Sequence, residues 1–130
     1  MNIVANIPVP FSVILLADAN SNDMPEAMNG ELVAHTDTCI AVGTLQEDAG
    51  STSLTMSDEL SEPTHTHVLV AEIKLILPSG VAALVTADNE ELGRLICASK
   101  AALVRVWVND AKEPSSIFFY CAPVEVAEID

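Results

Sequence analysis

A chain of 130 residues, half of them hydrophobic, has the length and apolar content for a single domain, 1–130, with its own core, and excludes global disorder. Five basic residues against nineteen acidic ones give a formal net charge of −14, which argues against direct binding of nucleic acid or of an anionic lipid surface. The same charge admits a basic protein partner or a cation, and serves plain solubility equally well.

From the start of the chain, residues 2–7 read as a first strand, which Pro8 and Pro10 interrupt because proline cannot donate to a sheet ladder. The run Phe11–Ala17 is a continuous apolar strand, too short to span a bilayer and closed by Asp18. No Lys or Arg precedes Lys74, so the N-terminus lacks the positive region of a secretory leader and a cytoplasmic location is expected. Residues 18–30 are rich in turn formers and read as a polar loop, with room for one helical turn after Pro25. Strands follow over Leu32–Ala34, Cys39–Leu45 and Ser51–Met56, then an acidic loop over residues 57–64. His67–Leu77 alternates: Leu69, Ala71, Ile73, Leu75 and Leu77 occupy one face, Glu72 and Lys74 the other. The turn Pro78-Ser-Gly80 and the run Val81–Thr86 then predict a hairpin spanning 67–87.

Residues 88–101 carry two patterns. Asp88 with Glu91 resembles a helix capping box, but Gly93 weakens a helix, and a strand over Arg94–Ala98 with a turn near Ser99-Lys100 is preferred. Leu103–Val108 alternates Val104, Val106 and Val108 against Arg105 and Trp107, and Ile117–Ala122 forms a last strand before a weakly alternating tail, Val124–Asp130. Seven to nine short strands at this spacing predict a mainly β fold: an antiparallel sandwich or partly open barrel with at most one or two short helices. Cys39, Cys97 and Cys121 are odd in number, far apart and set among apolar residues, which predicts buried, reduced thiols.

The residues that bear chemistry are few. His65 and His67, two apart on an extended segment, point to one side and with Glu72 form a candidate divalent-metal set similar to part of the first cupin motif. The pattern departs from that motif, with Glu59 where a glycine is expected, and Glu72 shares the side of the histidines only if a bulge intervenes. Otherwise no cofactor is implied. The carboxylates Asp58, Glu59, Glu62, Glu90 and Glu91 stand in loops or at strand ends and are the candidate contacts for a basic partner. They lack the ligand spacing of a calcium loop, and no serine elbow, phosphate loop or Cys–His dyad accompanies them, so no catalytic residue is assigned. Trp107 beside Arg105 reads as a core or rim aromatic.

The order of the C-terminal half carries a resemblance. The turn Pro78-Ser-Gly80, the run VAALVTAD, the segment GRLICAS, Lys100, the strand AALVRVWV ending in tryptophan, and SSIFFYCAPV together resemble the competence protein J family, small acidic bacterial inhibitors of a DNA-entry nuclease. The resemblance implies a protein that binds and blocks, with no catalytic residue to transfer.

Overall fold

The computed structural model describes residues 2–21, 23–26, 28–97 and 99–124. Ten strands run through them: β1 Asn2–Ile7, β2 Val13–Asp18, β3 Val33–His35, β4 Cys39–Gly43, β5 Thr52–Ser57, β6 Val68–Ile76, β7 Val81–Thr86, β8 Glu91–Ile96, β9 Ala101–Val108 and β10 Ser116–Pro123. They form two five-stranded sheets, ordered β1-β5-β10-β9-β6 and β3-β4-β2-β7-β8. Among these pairings β5–β10 is parallel and the others are antiparallel. The described residues hold a 3-10 turn at Glu47–Ala49 and a tight turn at Pro10–Ser12 with non-helical backbone at Phe11, and the sheets do not close into a barrel. The fold is the expected mainly β one, in its sandwich form.

Alternation builds the core. Val104, Val106 and Val108 of β9 are fully buried while Arg105 and Trp107 project outward. Ile117, Phe119 and Cys121 of β10 and Leu54 and Met56 of β5 fill the same layer, and Ile14, Leu16, Ile40, Val42, Leu84 and Leu95 face them from the other sheet. Phe119 is the only aromatic in this otherwise aliphatic cluster. Its truncation to alanine is expected to cost about 3–5 kcal/mol. All three cysteines are buried and free of disulfides. Along one side the sheets meet edge to edge: a Cβ built on Gly93 of β8 would lie 2.4 Å from Cγ2 of Ile3 on β1.

Three sequence expectations are corrected here. The segment 67–87 is not a hairpin: β6 pairs with β9 and β7 pairs with β2 and β8, so the chain changes sheets at Pro78–Gly80. Asp18 fixes that corner. It is 4% exposed, and its Oδ1 accepts hydrogen bonds from the Ser79 amide at 2.9 Å and the Ser79 hydroxyl at 2.6 Å, while Oδ2 accepts from the Asn20 amide at 3.0 Å. The hairpin lies one connection later, between β7 and β8, with Asn89 at φ 74° supplying the left-handed turn residue.

The second correction concerns Leu69. A bulge between Leu69 and Ala71 shifts the register, so Leu69 pairs with outward-facing Trp107 and is 46% exposed, while Ile73, Leu75 and Leu77 keep the core face. The third concerns the apolar run at Phe11. The strand starts at Val13, and Phe11 occupies a turn at φ 60°. The helical turn expected after Pro25 falls on a stretch that includes residue 27, which lies outside the described residues, as does the tail from residue 125 onward. Residues 91–96 are strand, as preferred, starting three residues earlier than expected.

Candidate functional site

The two outer faces of the sandwich differ. On the first sheet, register places Val4, Thr55, Phe118, Trp107 and Leu69 in one row across all five strands, and Asn2, Ser57, Tyr120, Arg105 and Glu72 in the next. Three of the five aromatic residues of the chain therefore stand on this face. Arg105 binds two of its carboxylates. Glu62 folds back from the acidic loop to accept from Arg105 Nε at 2.6 Å and from Trp107 Nε1 at 2.9 Å. Arg105 Nη1 reaches Glu72 at 3.4 Å, and the guanidinium lies 5.2 Å from the Tyr120 ring centroid. The Arg105 hydrogen bond holds the Glu62 carboxyl below its usual range, against a smaller upward push from burial.

The sequence-predicted residues fall into separate groups. Glu59 accepts from the Asn2 side-chain amide at 3.1 Å beside this first face, and Asp58 precedes it. Glu62 is the arginine clamp. Glu90 and Glu91 lie at the β7–β8 turn on the other sheet, where Glu91 pairs with Arg94 at 2.7 Å and is held below the usual carboxylate range by it.

His65 is exposed in the turn before β6. His67 is partly buried; its Nδ1 shares a hydrogen bond with the Thr66 hydroxyl and its Nε2 with the Ser116 hydroxyl, both at 2.8 Å, and burial lowers its pKa. The bulge does turn the first part of β6 to the outer side that Glu72 already occupies, but there Glu72 meets Arg105. Among the described residues no group of three or more His, Cys, Asp or Glu is placed to hold a metal ion.

The outer face of the second sheet is shaped by the segment between β2 and β3, which lies over Leu15, Ala17, Cys39 and Ala41 and packs Met28 against them. Two depressions lie beside Leu15. One, about 410 Å³, has a floor of Leu15, Ala17, Cys39 and Ala83 and carries Asp18, Asp23 and Glu91. The other, about 380 Å³, is lined by Phe11, Leu15, Met24, Met28, Glu26 and Glu31 among others. They share Leu15 and Met24. The Cys39 thiol in the first is pushed up to about 11, chiefly by burial and then by Asp23, so it stays protonated at neutral pH. In the sequence this face is hidden, because its apolar floor is indistinguishable from core in a strand pattern.

No family model matches the sequence, and no curated protein matches it significantly. The fold is similar to solved structures. ComJ from Bacillus subtilis, described as an inhibitor of the DNA degrading activity of NucA, superposes with a TM-score of 0.70 at 8% identity over 93% of this chain and 95% of that one. A crocagin biosynthetic protein J superposes with a TM-score of 0.59 at 15% identity over 94% and 95%. No helix among the described residues is long and apolar enough to cross a membrane. The resemblance read from the C-terminal half thus extends, as a likeness of fold, over nearly the whole length of the chain.

Proposed function

We propose that this protein is a non-catalytic, inhibitor-type binding protein whose partner is a basic protein such as a nuclease. The observation that supports the reading is the whole-length likeness of its fold to an inhibitor of a DNA-degrading enzyme. Its charge agrees with it: a net charge of −14 steers association with a partner of opposite sign and competes with a polyanion for the same site. Asp58, Glu59, Glu90 and Glu91 contribute to that field, and a cytoplasmic setting fits three reduced thiols.

The test is capture from a lysate of the source organism at low salt, elution by salt, and reconstitution with the purified eluted protein. A stoichiometric complex with a basic protein whose activity falls on binding is the expected result. Absence of any basic protein that reconstitutes a complex contradicts the reading.

A further inference from the structure

The proposed partner is basic, yet the two faces of the sandwich are unequally suited to it. On the first sheet Glu62 and Glu72 are both engaged by Arg105, Lys74 stands in the neighbouring row opposite Leu103, and Asp58 and Glu59 lie beside that face, so its acidic side chains are interleaved with two cations. On the second sheet no Lys, Arg or His among the described residues lines either depression, while Asp18, Asp23, Glu26, Glu31 and Glu91 do. Asp18 is committed to Ser79 and Glu91 to Arg94, which leaves the charge of Asp23, Glu26 and Glu31 without a cationic partner among the described residues. Lys112 lines a separate depression that shares Glu31 and Gly43, on the side away from the Asp23 end.

The apolar part of this face is also presented rather than buried. Phe11 is 75% exposed and Met24 48% exposed. Phe11 sits where a local rule is broken. The Ser12 amide donates to the Val9 carbonyl at 3.1 Å, and Pro10 is followed by a residue at φ 60° and ψ 12°. Proline followed by a positive-φ residue is the pattern of a type II turn, in which the second position calls for Gly or Asn. A phenylalanine there strains the backbone and exposes a large ring; such breaches persist where function supplies the compensation. Beside the ring, Ala41, Gly43 and Leu15 form a floor low enough to admit side chains of a partner between Phe11 and Met24.

We infer that the groove bounded by Phe11, Met24 and Met28, with Glu26 and Glu31 on its rim, is the docking site for a basic amphipathic segment of a protein partner. Apolar side chains of that segment insert between Phe11 and Met24, and its Lys or Arg residues meet Glu26, Glu31 and, toward the first depression, Asp23. The inference rests on the proposed basic partner but names the surface, so the two fail separately.

The experiment uses the full chain and a fluorescein-labelled amphipathic peptide of leucine and lysine, read by anisotropy, with a lysine–serine peptide of equal charge as comparison. Phe11→Asn suits the positive φ and preserves the turn. It is expected to weaken binding by about ten-fold or more, as removal of a central aromatic anchor does. Met24→Ser, a second variant in the loop, is expected to act in the same direction. Glu26→Gln with Glu31→Gln is expected to flatten the salt dependence, and Leu69→Ser on the opposite face to change nothing. Equal binding of the lysine–serine peptide, unchanged affinity in Phe11→Asn and Met24→Ser, or loss of binding in Leu69→Ser overturns the docking site. Lysate capture that yields no basic partner, while the leucine–lysine peptide binds and Phe11→Asn loses it, counts against the proposed function and supports the groove.

Discussion

Removal of the Asp18 carboxylate is the sharpest test of how the sheets are joined. Asp18→Ala leaves the Ser79 amide, half-buried at the β6–β7 corner, without its acceptor at 2.9 Å. The Ser79 hydroxyl retains the Val81 carbonyl at 3.3 Å, and the exposed Asn20 amide turns to water, so the loss concentrates on one amide and one charge-assisted hydrogen bond. An orphaned donor costs about 1–3 kcal/mol and a hydrogen bond to a charged group contributes about 1.5–3 kcal/mol. These overlap, and a total of about 3 kcal/mol is expected. At about 4 °C per kcal/mol for a domain of this size, the melting temperature falls by roughly 12 °C. Urea unfolding followed by circular dichroism measures the difference, with Asp23→Ala from the same loop as a control expected within about 0.5 kcal/mol of the parent. A loss below about 1 kcal/mol for Asp18→Ala refutes the corner as a fixed joint.

Further outcomes follow from the same structure. Phe11→Asn should raise stability by about 0.5–1 kcal/mol in urea titrations, because Asn tolerates the left-handed region that costs phenylalanine about 1–2 kcal/mol; destabilisation contradicts a strained turn. Gly93→Ala should cost about 1–3 kcal/mol by overpacking against Ile3, and Ile3→Ala in the same chain should recover part of it; additive losses place the contact elsewhere. Glu62 has a folded pKa below its unfolded value, so its contribution is full above the unfolded pKa and is lost as pH falls through the folded one. Thermal melts between neutral and acid pH should therefore fall more steeply for the parent than for Glu62→Gln, and identical slopes contradict the Arg105 clamp. At pH 7, with a net charge of −14, the melting temperature should be higher in 0.5 M than in 0.02 M sodium chloride (about a five-fold contraction of the screening length), and a fall with salt shows the Arg105 and Arg94 pairs outweighing general repulsion.

Strands were legible in the sequence where one side of the chain is apolar and the other is not. Val104, Val106 and Val108 against Arg105 and Trp107 is the plain case. Pairing was not legible, because Pro78-Ser-Gly80 has the residues of a hairpin turn while the deciding contact is with Asp18, 61 positions away. The bulge at Leu69 carries no glycine or proline to announce it, and it reverses the side on which the first part of β6 projects. At the candidate site the acidic character of the loops was readable, but not the return of Glu62 to Arg105, 43 positions on. Phe11 was hidden by its own chemistry: in an apolar run a phenylalanine reads as strand, and nothing in the sequence marks a positive φ at that position.

The role proposed for this chain is the binding of a basic protein partner. Its most direct test is isothermal titration of the purified chain with the basic protein it captures, with the activity of that protein followed in the same mixtures. The account predicts a saturable stoichiometric complex, weakened by salt, in which the captured protein loses its activity. Saturable binding without loss of activity, or heat that is linear in concentration and independent of salt, contradicts it.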